Sequence, residues 1–562
     1  MPRTCLPSGN DNNTGSSASF ARIKAWLDIC TSSHPACSQA DCQPPPLPTR
    51  VISVGTKGSS KCYLVSGNQK NGHYATLSHC WGDPRNRPLS TNDRTLPCRQ
   101  RGIEDKRLPK TFRHAIQVCR EIGIEYIWID SLCIIQGQES QEDWTKEAPK
   151  MGAVYGNSLL NISAAAAADS TQGCFKERLG LMIWPCQIML FGHPCYISRY
   201  PMHDEEISGD PGDQNPWKGN LSARRAWILQ EQILSRRSII FSQDLLIWRC
   251  PTLSTNEKFP LGIPHAPNIS FDNHRLLQCI VNDIKPSIPK EQTVDNHGCW
   301  YRIVEEFTSR VLTYEDDKLP AIAGIAKRFG VAVDDSYHAG LWRQDLIRGL
   351  SWCAKDNTAI CKARSPRAPS WSWASINGGV SYSHLLPNDH TSRVLWSPLI
   401  NILDVSDPTT CEDHPFGATS RASFSLSGVL LAVRREEHNY PGLVLVGHSS
   451  GFPSPTFFPD VQDINWSDRK PLVCLPLCIR LWRHYRSFFD DGELNRNNWE
   501  RFLEEGEDVF TKNNILYCLI LQAIEGSKDK YRRVGLWMVF GELTMEASRM
   551  ALFDERRSIT II

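Results

Sequence analysis

Two hydrophobic periods alternate along the first half of the chain. Between about residues 50 and 255, short apolar runs are separated by amphipathic stretches. Residues 51–55 (VISVG), 73–80 (HYATLSHC), 124–130 (IEYIWID) and 158–167 (SLLNISAAAA) read as strands, the last passing into small residues. Residues 108–123 (LPKTFRHAIQVCREIG) predict a helix. Phe112, Ala115, Ile116, Val118, Cys119 and Ile122 form its apolar face, Pro109 suits its first turn, and Gly123 is a natural terminator. Further helices are expected over 142–155 and 224–234, then a hairpin around Ser242, Gln243 and Asp244. Strand–helix alternation of this kind predicts a parallel α/β sheet, with ligands at the carboxyl ends of its strands. Those ends fall at residues 78–83, at 130–133 and from Ser163 onward.

The flanks read differently. Residues 1 to about 20 are polar, and disorder is expected there. Residues 21–30 predict a short helix, and 43–50 (QPPPLPTR) a stiff proline linker. From about 295 to 355 the pattern is helical, including a helix over 337–355. The tryptophans of SWSW (370–373) are expected to pack in the core between domains rather than to form a binding platform. Later segments are strand-like, with a helix near 498–503 and final strands ending in SITII. The expected division is a disordered leader with a short helix (1–47), an α/β domain (48–255, core 70–255), a mainly helical region (256–390) and a mixed α+β region (391–562).

Composition adds exclusions. The chain has 562 residues, 62 Lys+Arg against 61 Asp+Glu, and a net charge of +1, so nothing draws it to nucleic acid or anionic lipid. Its 21 cysteines are odd in number and irregularly spaced, which reads as thiols in a reducing compartment. Sequons at Asn161, Asn220, Asn268 and Asn465 are then chance matches. The N-terminal residues lack the apolar core of a signal peptide, and the most apolar window, 179–192, is short and interrupted by Pro185. A protein without a membrane span, located in the cytoplasm, is expected.

Three segments carry a family resemblance when taken together: YATLSHCWGDP (74–84), LPKTFRHAIQVCREIGIEYIWIDSLCIIQ with MGAVYGNSLLNISA (108–136 and 151–164), and RRAWILQEQILSRRSIIF (224–241). They resemble the HET (heterokaryon incompatibility) domain of filamentous fungi. The family usually carries Asn where this chain has Ile135. The resemblance implies non-self recognition, growth arrest and programmed cell death after hyphal fusion. It implies protein partners, namely other incompatibility proteins, NLR-type receptors or further copies of the chain. HET domains are remotely similar to TIR domains, which implies a flavodoxin-like α/β fold. In some TIR domains a helical glutamate in a Trp-x-x-x-Glu arrangement cleaves NAD. The matching residues here are Trp227 and Glu231. No cofactor is implied; NAD would be a substrate.

The residues themselves leave two readings open at each point. Trp227 and Glu231 are four apart, on one helix face, where a carboxylate beside an aromatic wall would stabilise an oxocarbenium ion. Alternatively Trp227 packs in the core and Glu231 pairs with Arg225 or Arg236. Ser78, His79 and Trp81 end a strand, where Trp81 would stack on a nucleotide base or simply begin a turn. Asp130 would bind a ribose hydroxyl or cap the next segment. Cys133 and His79 are a candidate nucleophile pair, with buried thiol packing the better-supported role for the cysteine. Cys30, His34, Cys37 and Cys42 form a C-x3-H-x2-C-x4-C group, a candidate zinc site or a set of packed thiols. Enzyme, non-catalytic interaction module and accessory protein of a metabolite pathway all remain open.

Overall fold

The computed structural model describes residues 12–38, 43–83, 85, 87–137, 141–178, 186–190, 193–197, 224–261, 278–282, 295–355, 360–385, 394–406, 422–436, 442–445, 456–461, 471–482, 515–540 and 555–562. The chain divides into two compact units, Met1–Ser287 with Ala321–Ala332, and Ile288–Pro320 with Val333–Ile562.

The first unit is an α/β domain. Its strands are β1 (Arg50–Ser53), β2 (Lys61–Ser66), β3 (Tyr74–Ser78), β4 (Ile103–Glu104), β5 (Tyr126–Trp128), β6 (Leu160–Ser163), a separate hairpin of β7 (Cys186–Leu190) and β8 (His193–Ile197), then β9 (Ser238–Phe241), β10 (Leu246–Arg249) and β11 (Ser254–Asn256). Nine of them form one sheet in the order β11-β10-β9-β6-β3-β5-β1-β2-β4. Four neighbours, β5, β3, β6 and β9, are parallel. In chain order these four lie as 2-1-3-4, the order of flavodoxin-like sheets. The expected parallel sheet is therefore only the centre of a mixed one. On one side β1 joins β5 antiparallel and β2 follows; on the other, the hairpin of β9 and β10 reverses the direction. Hairpins add antiparallel strands without a crossover helix, which is how a parallel core acquires such edges.

Helix Lys110–Ile122 connects β3 to β5 and buries all six predicted apolar positions. Gly123 ends it at φ 85°, donating its N–H to the Cys119 carbonyl, a left-handed cap that a residue with Cβ adopts at a cost. The helix expected over 142–155 is broken into Gln141–Glu147, a single 3-10 turn at Ala148–Lys150, and Met151–Gly156, because Pro149 has no N–H to give. Helix Ala226–Leu234 leads into β9.

The lead-in is more ordered than expected. A helix begins at Ser17, where Ser16 Oγ accepts from the Ser19 N–H, and runs to Ser33. Its Arg22 reaches Glu257 Oε1 at 2.6 Å. Arg178 donates to the same carboxylate, and the Leu246 N–H approaches Glu257 Oε2 at 2.8 Å. All three side chains are buried. Helix Ala323–Val333 also packs in this unit: the Gly324 N–H donates to Gln230 Oε1 at 2.7 Å, and a Cβ on Gly152 would come within 2.9 Å of the Gly324 backbone.

The second unit combines helix Asn296–Thr308, capped by Asp295, with a ten-stranded sheet. The helix predicted over 337–355 is instead a tight hairpin, Tyr337–His338 with Leu341–Trp342, followed by the short helix Leu346–Gly349. Ala339 and Gly340 have φ of 46° and 99°, outside the helical region. Trp371 and Trp373 are fully buried, as expected of a packing role. From Val394 on, the described residues form strands and their connections, a β-rich region; the helix predicted near 498–503 lies outside the described residues. Among the described residues no helix is long and apolar enough to cross a membrane.

Replacing Glu257 by Ala leaves two buried guanidinium groups without their shared anion. The expected loss is about 3–5 kcal/mol in denaturant unfolding. Asp28→Ala, which breaks the exposed Lys24–Asp28 pair, is expected to change stability by less than about 1 kcal/mol.

Candidate functional site

A switch point lies where β3 and β6 run side by side and their connections leave in opposite directions. Ser78 ends β3 opposite Ser163, which ends β6. Ser78 is wholly buried, and its hydroxyl donates to Asn161 Oδ1 at 3.1 Å. Thr76 donates to the same oxygen at 3.1 Å.

Beyond Ser78 the chain turns through His79, Cys80 and Trp81. Trp81 is half-buried, and its indole N–H donates to Asp130 Oδ2 at 2.8 Å. Asp130 follows β5 and opens the short helix Asp130–Cys133; its other oxygen accepts from the Ser131 N–H at 2.7 Å. It is thus both a cap and a partner of Trp81. His79 Nδ1 lies 3.9 Å from Asp130 Oδ1, and His79 Nε2 is buried with no hydrogen-bond partner. Burial lowers the His79 pKa, opposed by Asp130, so the ring is neutral. Its edge meets the Phe112 ring at a centroid distance of 5.0 Å.

Glu231 comes to this rim from helix Ala226–Leu234. It is 5% exposed, and its Oε2 has no hydrogen-bond partner. Burial pushes its pKa up to about 7, with the Asp130 charge acting in the same direction. The Ser78 hydroxyl, Arg225 and the Tyr155 hydroxyl pull it back. Arg225, just before the helix, donates to the His79 carbonyl at 3.1 Å and places its guanidinium 5.6 Å from the centre of the Trp81 ring.

The structure therefore gathers Ser78, Trp81, Asp130 and Glu231 around the ends of β3 and β5. Trp227 sits one helical turn before Glu231, half-buried, with its ring edge-on to Trp144 at 5.8 Å. Tyr155 joins the group without any sequence signal: it ends a broken helix and becomes a neighbour of Glu231 only through the β5–β6 connection. Cys133 is buried, and burial pushes its thiol up to about 12, so it is a poor nucleophile.

Three residues of the lead-in group also converge. Among the described residues Cys30, His34 and Cys37 lie together with Cys250, which follows β10. Cys42 lies outside the described residues. Cys250 is 213 residues from Cys37 along the chain, beyond the reach of any spacing motif.

The raised pKa of Glu231 has a consequence for stability. The folded carboxyl holds its proton more tightly than the unfolded one, whose ordinary value is 4.5. Folding thus binds protons between about pH 4.5 and 7, and stability falls as pH rises through that window. Glu231→Gln is expected to flatten this dependence and to exceed the parent at pH 8 by up to ~3 kcal/mol, as read by denaturant unfolding at several pH values.

Comparison with known families places this rim. Residues 74–231, from the first residue of β3 to Glu231 itself, match the family described as Heterokaryon incompatibility protein (HET). Comparison with the curated proteins and with the solved structures returned no significant match. The match takes in Ser78, Trp81, Asp130, Tyr155, Trp227 and Glu231, and this part of the chain is similar to a HET domain.

Proposed function

We propose that the protein acts in heterokaryon incompatibility as a cytoplasmic effector or regulator of cell death, and that its HET domain cleaves the N-glycosidic bond of NAD or a related nucleotide. The observation that carries this reading is Glu231. It is a buried carboxyl with one oxygen free of partners, held near neutrality at the switch point of a flavodoxin-like sheet. A carboxylate there stabilises the positive charge that grows on the ribose as the C1′–N bond breaks. The bonding pair leaves on the nicotinamide nitrogen. Water then adds to C1′, and its proton passes to Glu231 and on to solvent. Trp81 offers a ring for stacking, and Arg225 beside it a positive charge for a phosphate. Trp227 extends the aromatic wall of the same helix. Partners of the effector would be incompatibility proteins, NLR-type receptors or further copies of the chain.

A second reading is favoured by the closure of the rim. Ser78 is wholly buried and Glu231 nearly so. In that reading the group is a folding core and the domain a non-catalytic module that nucleates an assembly.

The two are separated by incubating the full chain with NAD, alone and crowded into oligomers, and measuring released nicotinamide. Turnover is expected to rise with pH through about 7 as Glu231 ionises. Glu231→Gln is expected to lower it at least ~100-fold while the chain stays folded. Trp81→Phe is expected to raise KM more than it lowers kcat. Parent protein that turns over no NAD in either state, or a Glu231→Gln variant that kills cells as well as the parent, rules for the assembly module.

A further inference from the structure

We infer that Cys30, His34, Cys37 and Cys250 bind a structural zinc ion. The four side chains come from two distant parts of the chain. Cys30 lies in the last turn of helix Ser17–Ser33, His34 caps that helix, and Cys37 sits one turn further on in the short helix Pro35–Ser38. Cys250 directly follows β10. All four are buried, and their ligand atoms lie within 4.8 Å of one another.

The geometry is that of a tetrahedron slightly open. With Zn–S near 2.3 Å and Zn–N near 2.0 Å, tetrahedral coordination requires about 3.8 Å between sulfurs and about 3.6 Å between sulfur and nitrogen. Cys250 Sγ and His34 Nδ1 are 3.6 Å apart. None of the three cysteines is in a disulfide. Three thiolates and an imidazole are a soft donor set that selects zinc over the oxygen-preferring cations. Four protein donors and burial on every side leave no position for water or substrate, so the ion would be structural.

The surroundings suit a charged centre. Three thiolates around a divalent ion carry a net charge of −1. Arg237 is buried beside them; its Nε donates to Cys30 Sγ at 3.2 Å and its Nη2 to the Cys37 carbonyl at 2.8 Å. The Leu253 N–H donates to Cys250 Sγ at 3.2 Å, in a turn closed by the Cys250 N–H and the Leu253 carbonyl at 2.9 Å. Thr252 Oγ1 lies 3.5 Å from Cys37 Sγ. Such outer contacts orient thiolate ligands and stabilise their charge. The ion would tie the lead-in helix to the end of β10. Nothing in this inference depends on chemistry at Glu231.

The test is elemental analysis of the full chain expressed with zinc. About one zinc per chain is expected, unchanged in Cys98→Ser, whose thiol is exposed and outside the group. Cys250→Ser and His34→Ala are expected to lose the metal. Because these variants can also unfold, the parent is examined separately. Replacement of zinc by cobalt is expected to give the intense visible bands of tetrahedral thiolate coordination. Cys30, Cys37 and Cys250 are expected to resist alkylation until a chelator is added, when the melting temperature also falls. Folded parent without stoichiometric metal, or a disulfide joining two of these three cysteines, overturns the inference.

Discussion

A carboxylate kept from water is the constraint on which the rim of the first unit turns. Glu231 carries an oxygen with no hydrogen-bond donor, and such a group is costly to bury in its charged form. The fold meets that cost with hydroxyls from two elements, Ser78 at the end of β3 and Tyr155 before β6, and with the nearby cation Arg225. Each belongs to a different crossing of the sheet. The group therefore exists only when the order β5-β3-β6-β9 is in place, and no single segment could assemble it.

The same dependence explains which parts could be read from the chain. Helix Lys110–Ile122 was legible because its apolar face, its proline start and its glycine stop agree with one another. The parallel core was legible for the same reason. The antiparallel edges were not: β2, with an exposed outer face, and the two-residue β4 carry little hydrophobic signal. The hairpin at Ala339 and Gly340 was hidden because the apolar residues around it also fit a helical period, and only the backbone dihedrals betray the turn. At the rim, Ser78, Trp81, Asp130 and Glu231 were accessible through the family pattern and the rule about strand ends. Tyr155 was not, since its role is set by where a broken helix stops.

The cysteines divide along similar lines. Cys30, His34 and Cys37 follow helical spacing and could be grouped by eye. Cys250 is brought to them by the antiparallel pairing of β9 and β10, which sends the chain back toward the lead-in helix. Long-range partners of this sort escape any local reading, because loop closure places no limit on separation along the chain.

The close approach of Gly152 and Gly324 bears on how this fold is inherited. A helix that belongs to the α/β unit is encoded more than thirty residues after the rest of it has ended at Ser287. Gene segments ending at the limit of the family match would drop that helix and bare the face that Gly152 and Gln230 present to it. Recombination can thus shuffle this domain intact only by carrying the intervening stretch along, which ties the inheritance of residues 288–320 to that of the sheet.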